Sequence, residues 1–563
     1  MAKVGNWRLN LVLILIILAG AAIFSRLFFV QILERKLFQA QALGQQMGFS
    51  NEIGSRGKIY CQSSQETKGG LSSDEIKSLA INTDKWIISA APKDIQDKEA
   101  FAEILSQNIG LEKEEILALL ETQNDYMIIK KDLTTSELNK IKALGIEGLS
   151  WQNNPDRFYP QTDLASQVLG FLGGEGIGQY GVEGHYEDTL KGKIGVMEQT
   201  KGLNSIFASN EPASLDGPDI YLTLDYNIQF QSEALLKKAK KNLDIESGQI
   251  IVLKPDSGKI LALANYPSFD PNQYSKEKNL EIFQNSATQK LFEPGSIMKP
   301  FTMAAALNEG KITPDTTYVD TGAVQFGGKT IHNFANEIYG KQTMTQVLEN
   351  SINTGAVFAE QQLGHKIFFD YLDKFGFFEK TGIDLQGEVY SSNSSLKNGP
   401  DMNYATASFG QGIELTPLQI VRAFGALANQ GKLARPYVVE RIGDAYTSPQ
   451  ISKPIVSQQT ISQLTSMLVS VVDNGFNSVA KIPGYYIAGK TGTAQVPLKG
   501  GKGYDENKTI QSFVGYGPAF NPQFLILVKL DNPKVSKSSL SAVPVFKDLA
   551  QYIINYWQIP PDY

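Results

Sequence analysis

The chain has 563 residues, 42% hydrophobic and 20% charged, with 50 Gly and 24 Pro in no repeat, which excludes a chiefly disordered protein. With 52 Lys and Arg against 58 Asp and Glu the net charge is −6, so no global positive field exists to hold a nucleic-acid backbone. One cysteine, Cys61, excludes an internal disulfide and a cysteine-based zinc site, and three histidines (His185, His332, His365) leave little for an all-His site; no metal or cofactor is expected, and chemistry must run on Ser, Thr, Lys, Tyr and carboxylates.

Leu9 to Val30 is broken only by Asn10, Ser25 and Arg26. At ~1.5 Å per residue a helix of that length covers a ~30 Å hydrocarbon core, so a membrane-spanning helix is expected. Lys3 and Arg8 precede it without an acid, which keeps the N-terminus cytoplasmic and exports the rest. A cleavable signal peptide is the rival, with Leu9 to Leu18 as its apolar core and Ala19 to Ala21 as the cleavage site. Retention is favoured because cleavage would expose Ile23 to Leu33.

Between Glu34 and Asp216 the chain mixes short apolar runs (Trp86 to Ala91, Tyr126 to Ile129), amphipathic helical stretches (Lys98 to Leu120, Ser136 to Leu144) and turns. The glycine-rich stretch Gly173 to Gly195 contains a phosphate-loop lookalike, but no strand leads into it and no GK[ST] follows, so it reads as tight turns in a linker region. From Pro218 strands are expected at Ile220 to Leu224, Gln249 to Leu253 and Lys259 to Ala264, the last two joined by Pro255-Asp256-Ser257-Gly258, with a helix over Asn227 to Lys241. Strands return at Tyr485 to Ile487, Thr493 to Val496, Ser512 to Gly515 and Phe524 to Leu530, which predicts one large domain whose sheet is completed by its C-terminal part.

Three short segments carry groups suited to chemistry. In Glu293 to Thr302 turn residues run into a helix, Ser296 falls at its start, and Lys299 lies one turn on, within reach of the Ser hydroxyl. A serine alcohol needs a base beside it, and with no histidine nearby the neutral form of Lys299 is the candidate, given burial or a second cation to depress its pKa. Ser-x-x-Lys alone is weak, since Ser55 with Lys58, Ser275 with Lys278 and Ser394 with Lys397 repeat it. Thr343 and Gln346 can form a capping box that starts a helix reaching Ser351-Ile352-Asn353, a hydroxyl and an amide suited to proton relay and to holding a substrate amide. Later come Lys490, Thr491, Gly492 and Thr493, a cation and two hydroxyls on a strand with a glycine that admits a close backbone. A second Lys-Thr-Gly at Lys380 to Gly382 and Ser391-Ser392-Asn393 are set aside because they lie in turn-rich or polar loop sequence.

Ser-x-x-Lys, Ser-x-Asn and Lys-Thr-Gly in this order form the signature of β-lactamases and penicillin-binding proteins. With them the chain resembles the class B penicillin-binding proteins, membrane-anchored transpeptidases of bacterial peptidoglycan. Arg56-Gly57-Lys58-Ile59 is similar to the family's Arg-Gly-x-Ile, although Cys61 replaces the Asp that usually follows. Leu79 to Asn82, Arg157 to Pro160, Gly178 to Gly192, Ala264 to Asn272 and Gly410 to Gln419 extend the likeness over nearly the whole length. The resemblance implies an anchor over 1–33, a non-catalytic α+β pedestal (dimerisation-like domain) over 34–216 and, over 217–563, an α/β (α+β) transpeptidase domain with a central antiparallel sheet flanked by helices.

It also implies roles. Ser296 would attack the penultimate D-Ala carbonyl of a stem peptide ending in D-Ala-D-Ala, Lys299 would take its proton, Ser351 would relay it, and Asn353 would orient substrate and lysines. Lys490 with Thr491, Gly492 and Thr493 would bind the terminal carboxylate, and the N–H groups of Ser296 and Thr493 would form the oxyanion hole. β-Lactams would acylate Ser296 and stay. Ser512 to Ala519 and Gly382 to Glu388 resemble the cell-division type more than the elongation type, with a polytopic glycan-polymerising glycosyltransferase and other divisome proteins as implied partners. The alternatives are an elongation-type transpeptidase, a D-Ala carboxypeptidase, a β-lactam hydrolase or sensor on the same fold, and a silent scaffold.

Overall fold

The computed structural model describes residues 17, 18, 20, 51–63, 76–121, 126–196, 215–326, 328–475, 478–498 and 503–563. The expected membrane span, Leu9 to Val30, lies almost wholly outside them; among the described residues no helix is long and apolar enough to cross a membrane. The chain divides into two compact units, 1–57 with 191–217, and 58–190 with 218–563. In the first, Asn51–Ile53 pairs antiparallel with Ile194–Val196, and the Ser55 N–H donates to Asp216 Oδ1 at 2.6 Å.

In the second unit, Lys85–Ala90 is the middle strand of three, between Met127–Thr134 and Leu149–Asn153. Phe101, Leu105, Ile116, Leu120, Leu138 and Ile141 from the neighbouring helices complete its core with Ile88 and Leu133. The helical stretch expected over Lys98 to Leu120 is two helices, Lys98–Ile109 and Lys113–Leu120. Gly110 at φ 66° ends the first, because a left-handed C-cap suits glycine and stops the 3.6-residue ladder. The glycine-rich stretch is more than a linker: the Tyr180 N–H donates to Gln386 Oε1 at 2.8 Å and the Tyr186 hydroxyl to Asp384 Oδ2 at 3.1 Å. Arg157 Nε meets Glu183 Oε1 at 2.8 Å with both side chains buried, and the Tyr159 hydroxyl donates to the same oxygen at 3.2 Å. Losing one partner of such a pair would leave an uncompensated buried charge.

A six-stranded sheet joins distant stretches of this unit: Ile220–Asp225 pairs parallel with Ile59–Gln62 and antiparallel with Val439–Ile442. Cys61 is buried in it, and burial followed by the Asp225 carboxylate pushes its thiol pKa up, so it is an inert core thiol.

A second sheet has five antiparallel strands in the order Ile260–Tyr266, Ser247–Leu253, Phe524–Asp531, Tyr504–Gly517, Ala488–Pro497. Three of its strands, Ile260–Tyr266, Ser247–Leu253 and Phe524–Asp531, are mostly apolar because both faces are covered. Along Phe524–Asp531 the two-residue period sends Leu525 and Leu527 into one core and Phe524, Ile526, Val528 and Leu530 into the other. The first core holds the helices Pro417–Ala428 and Lys299–Asn308, the second Tyr226–Leu243 and Ala542–Tyr556. Tyr485 to Ile487 form no strand, Tyr485 making only an isolated bridge to Ile482, whereas the expected strand over Thr493 to Val496 lies within a longer one, Ala488–Pro497, at the sheet edge. Its glycines weaken the strand signal in sequence, but the Tyr504–Gly517 ladder holds Gly489 and Gly492 in register opposite Gly515 and Ser512.

Candidate active site

Ser296 sits in a short 3-10 turn, Gly295–Met298, that leads into the helix Lys299–Asn308 with Pro300 in its first turn. That helix is buried from Lys299 to Leu307, as its all-round apolar sequence requires. Phe301 is locked edge-on against Phe375, Phe377 and Phe424, with ring centroids 5.1, 5.0 and 5.6 Å away. The turn depends on two glycines. Gly295 has φ 59°, and a Cβ there would lie 2.9 Å from Thr493 O, whereas a Cβ on Gly410 would lie 2.1 Å from Gly295 O. The nucleophile turn is thus clasped between the edge strand and the Gly410 loop, the Gly295 N–H donating to Gly410 O at 3.0 Å.

Lys299 Nζ stands 3.0 Å from Ser296 Oγ, 2.8 Å from Asn353 Oδ1 and 3.2 Å from Ser351 Oγ, and also meets the Ser351 carbonyl. The capping box of Thr343 and Gln346 forms as expected and starts the helix Met344–Glu349. A second helix, Asn353–Leu363, begins after a break at Ser351, whose φ of 55° is strained for a residue with a side chain. The break turns the Ser351 hydroxyl to the lysines: Lys490 Nζ is 2.9 Å from Ser351 Oγ.

Lys490 comes from the edge strand, where alternation buries Lys490 and Gly492 and leaves Thr493 exposed. A Cβ on Gly492 would lie 2.8 Å from Pro294 O, so glycine is what lets the strand backbone lie against the nucleophile turn, as the sequence reading expects. Both lysines are fully buried, while Ser296, Ser351 and Asn353 are half-buried at the surface above them. Burial, then the second cation at Lys490, holds the Lys299 ammonium pKa well below the usual lysine range. Burial pulls Lys490 down to about 7. The site can therefore keep an uncharged amine beside a serine hydroxyl near neutrality, with a second amine that is charged part of the time.

The structure thus brings together every singled-out residue. The Lys490, Thr491, Gly492 and Thr493 strand borders the Ser296 turn, and Ser351 and Asn353 close the third side. The decoys fall elsewhere: Ser55 and Lys58, Ser275 and Lys278, and Ser394 and Lys397 are all exposed. Thr381 is buried against Glu388, with its hydroxyl and N–H on that carboxylate. Asn393 ties the Glu414 backbone, its Oδ1 accepting that N–H at 2.9 Å.

Two neighbours escape the sequence reading. Glu293 accepts the Gly412 N–H at 3.0 Å and the Tyr504 hydroxyl at 3.0 Å, joining the nucleophile turn to the Gly410 loop and to the strand beside Lys490. Its position three residues before Ser296 was the available signal. Ser538 Oγ is 2.9 Å from Thr493 Oγ1 and donates to Gly492 O at 2.5 Å. It lies more than forty residues beyond Thr493, and no local pattern marks it.

Comparison with known proteins agrees with this geometry. Residues 248–551 match the penicillin-binding protein transpeptidase domain and residues 54–222 the penicillin-binding protein dimerisation domain. The chain is 32% identical to stage V sporulation protein D of Bacillus subtilis over 81% of this chain and 73% of that one. It is 29% identical to the probable peptidoglycan D,D-transpeptidase PbpC of Pseudomonas aeruginosa over 99% and 96%. Penicillin-binding protein 3 of Mycobacterium tuberculosis, solved with aztreonam, superposes with a TM-score of 0.69 at 25% identity, over 91% of this chain and 98% of that one. A transpeptidase domain spanning more than half the chain, behind a dimerisation domain and around this three-sided site, makes the chain a member of the class B penicillin-binding proteins.

Proposed function

We propose that this protein is a peptidoglycan D,D-transpeptidase that joins stem peptides through an acyl-enzyme on Ser296, and that β-lactams inhibit it by acylating the same oxygen. The observation that carries the reading is the buried, pKa-depressed Lys299 amine 3.0 Å from Ser296 Oγ. In acylation Ser296 Oγ bonds to the penultimate D-Ala carbonyl carbon while its proton passes to Lys299 Nζ. The oxyanion is held by the N–H groups of Ser296 and Thr493. The proton moves through Ser351 Oγ to the amine of the departing D-Ala as the peptide C–N bond breaks. An acceptor amine then attacks the ester, its proton returns by the same groups, and Ser296 regains its hydroxyl. Asn353 holds the Lys299 amine, and Lys490 with Thr491, Gly492 and Thr493 receives the terminal carboxylate.

The matches over 54–222 and 248–551 support a pedestal over 34–216 and a catalytic domain over 217–563, and an anchor over 1–33 is proposed from the apolar run Leu9 to Val30. A single-pass topology with a cytoplasmic N-terminus and an extracytoplasmic catalytic domain rests on the Leu9 to Val30 run and on Lys3 and Arg8. A septal role fits relatives named FtsI in Mesostigma viride and Buchnera aphidicola, and a glycan-polymerising glycosyltransferase and other divisome proteins are the partners that such a role implies. Ser296→Ala tests the central assignment: fluorescent penicillin labelling and crosslinking of stem peptides are both lost while the fold is kept. A labelled peptide mapping to another serine would overturn it.

A further inference from the structure

Asp320 ends the strand Thr317–Asp320 and is 2% exposed. Its carboxylate gathers neutral donors. Oδ1 accepts from the Thr354 hydroxyl at 2.6 Å, Asn333 Nδ2 at 3.0 Å and the Gly322 N–H at 3.1 Å, and Oδ2 from the Tyr339 N–H at 2.8 Å and Asn333 Nδ2 at 2.9 Å. Burial would raise its pKa, but these donors, the Thr354 hydroxyl first, outweigh burial and hold the carboxyl below its ordinary range. Hydrogen bonds to an ionised acceptor are roughly twice as strong as neutral ones, so this hub is stiff.

Both arms of the hub end beside Asn353. Thr354 is its chain neighbour, and the Thr354 N–H donates to Asn333 Oδ1 at 3.1 Å. Asn333 follows His332, whose carbonyl accepts Asn353 Nδ2 at 3.0 Å. With Nδ2 committed to that carbonyl, Asn353 can offer only its oxygen to Lys299 Nζ, at 2.8 Å. The segment after Asn333 is strained, with Ala335 and Asn336 at φ 55° and 56°, a conformation that persists only where the surroundings over-determine it.

We propose that Asp320 is a positioning residue for the reaction: through Asn333 and Thr354 it fixes which way the Asn353 carboxamide faces and how closely its oxygen approaches Lys299. The inference rests on the reading of Lys299 as the base for Ser296. Asp320 touches neither substrate nor nucleophile; it sets the partner of the base.

Asp320→Asn tests this in the full-length, detergent-extracted protein, because it puts an NH2 among donors at unchanged size. Acylation by fluorescent penicillin is followed from pH 5 to 9 to separate the acylation rate from the preceding binding step. We expect the acylation rate to fall at least about tenfold with binding changed by less than about twofold, as a displaced catalytic contact requires. The acid limb of its pH profile should also move. The exchanged pair Asp320→Asn with Asn333→Asp, which returns a carboxylate to the hub, should recover part of the rate. Ile331→Ala, in the small core of the same lobe, is the stability control and should lower the melting temperature without moving the pH limb. A wild-type rate and pH limb for Asp320→Asn, or the same pH displacement in Ile331→Ala, would overturn the proposal. If Asp320→Asn is unaffected while Ser296→Ala is silent, only this inference fails; labelling that persists in Ser296→Ala removes the base assignment beneath it.

Discussion

Lys490 and Lys299 meet on one hydroxyl: Ser351 Oγ lies 2.9 Å from Lys490 Nζ and 3.2 Å from Lys299 Nζ. Two buried amines this close cannot both stay charged at little cost, and both lie below the usual lysine range. In the proposed reaction this serine has the base on one side and the cation for the substrate carboxylate on the other.

Replacing the base while keeping the volume isolates its chemistry. Lys299→Met should acylate with penicillin about 100- to 10,000-fold more slowly, the range for a lost general base, with the melting temperature unchanged or higher because no buried amine must be desolvated. Stopped-flow acylation and thermal denaturation check the two halves. A loss of rate that only tracks a loss of fold would contradict the assignment.

The pH dependence follows from Lys490, whose pKa burial lowers to about 7 in the folded chain. Its unfolded value is ~10.4, so between the two the unfolded chain binds more protons and stability rises with pH above 7, by at most ~1.4 kcal/mol per pH unit for this one group. Lys490→Met should flatten that rise between pH 7 and 9 in denaturant titrations. In the wild type, kcat/KM for a carboxylate-bearing substrate should fall above about pH 7 as free Lys490 loses its charge. An unchanged slope in the variant would show that Lys490 keeps an ordinary pKa.

The clasp around the nucleophile predicts a steric effect. A Cβ at Gly492 would lie 2.5 Å from Ser512 Oγ and 2.8 Å from Pro294 O, and the second contact is backbone that cannot turn away. Gly492→Ala should therefore part the edge strand from the Ser296 turn and slow acylation by about 100-fold, while circular dichroism stays native. Rates near wild type would mean that the strand and turn separate without consequence for the oxyanion donors.

Much of this was legible from local pattern. The Ser296 and Lys299 spacing, the Thr343 and Gln346 capping box, the hairpin around Pro255 to Gly258 and the glycine at 492 each express a rule acting within a few residues, and each holds in the structure. The break at Gly110 and the single strand Ala488–Pro497 were misread, because a lone glycine in an amphipathic run and glycines in a strand are settled by what packs or pairs beside them. What the sequence determined by itself was the set of reactive groups and their order. Only the tertiary structure decided which Ser-x-x-Lys lysine is desolvated, since Lys299 is fully buried and the lysines of the other three pairs are exposed. Burial and long-range contacts such as Ser538 with Thr493 and Asp320 with Thr354 join residues that no local spacing relates. A lysine becomes a base through the solvent it loses, and that loss belongs to the packed fold.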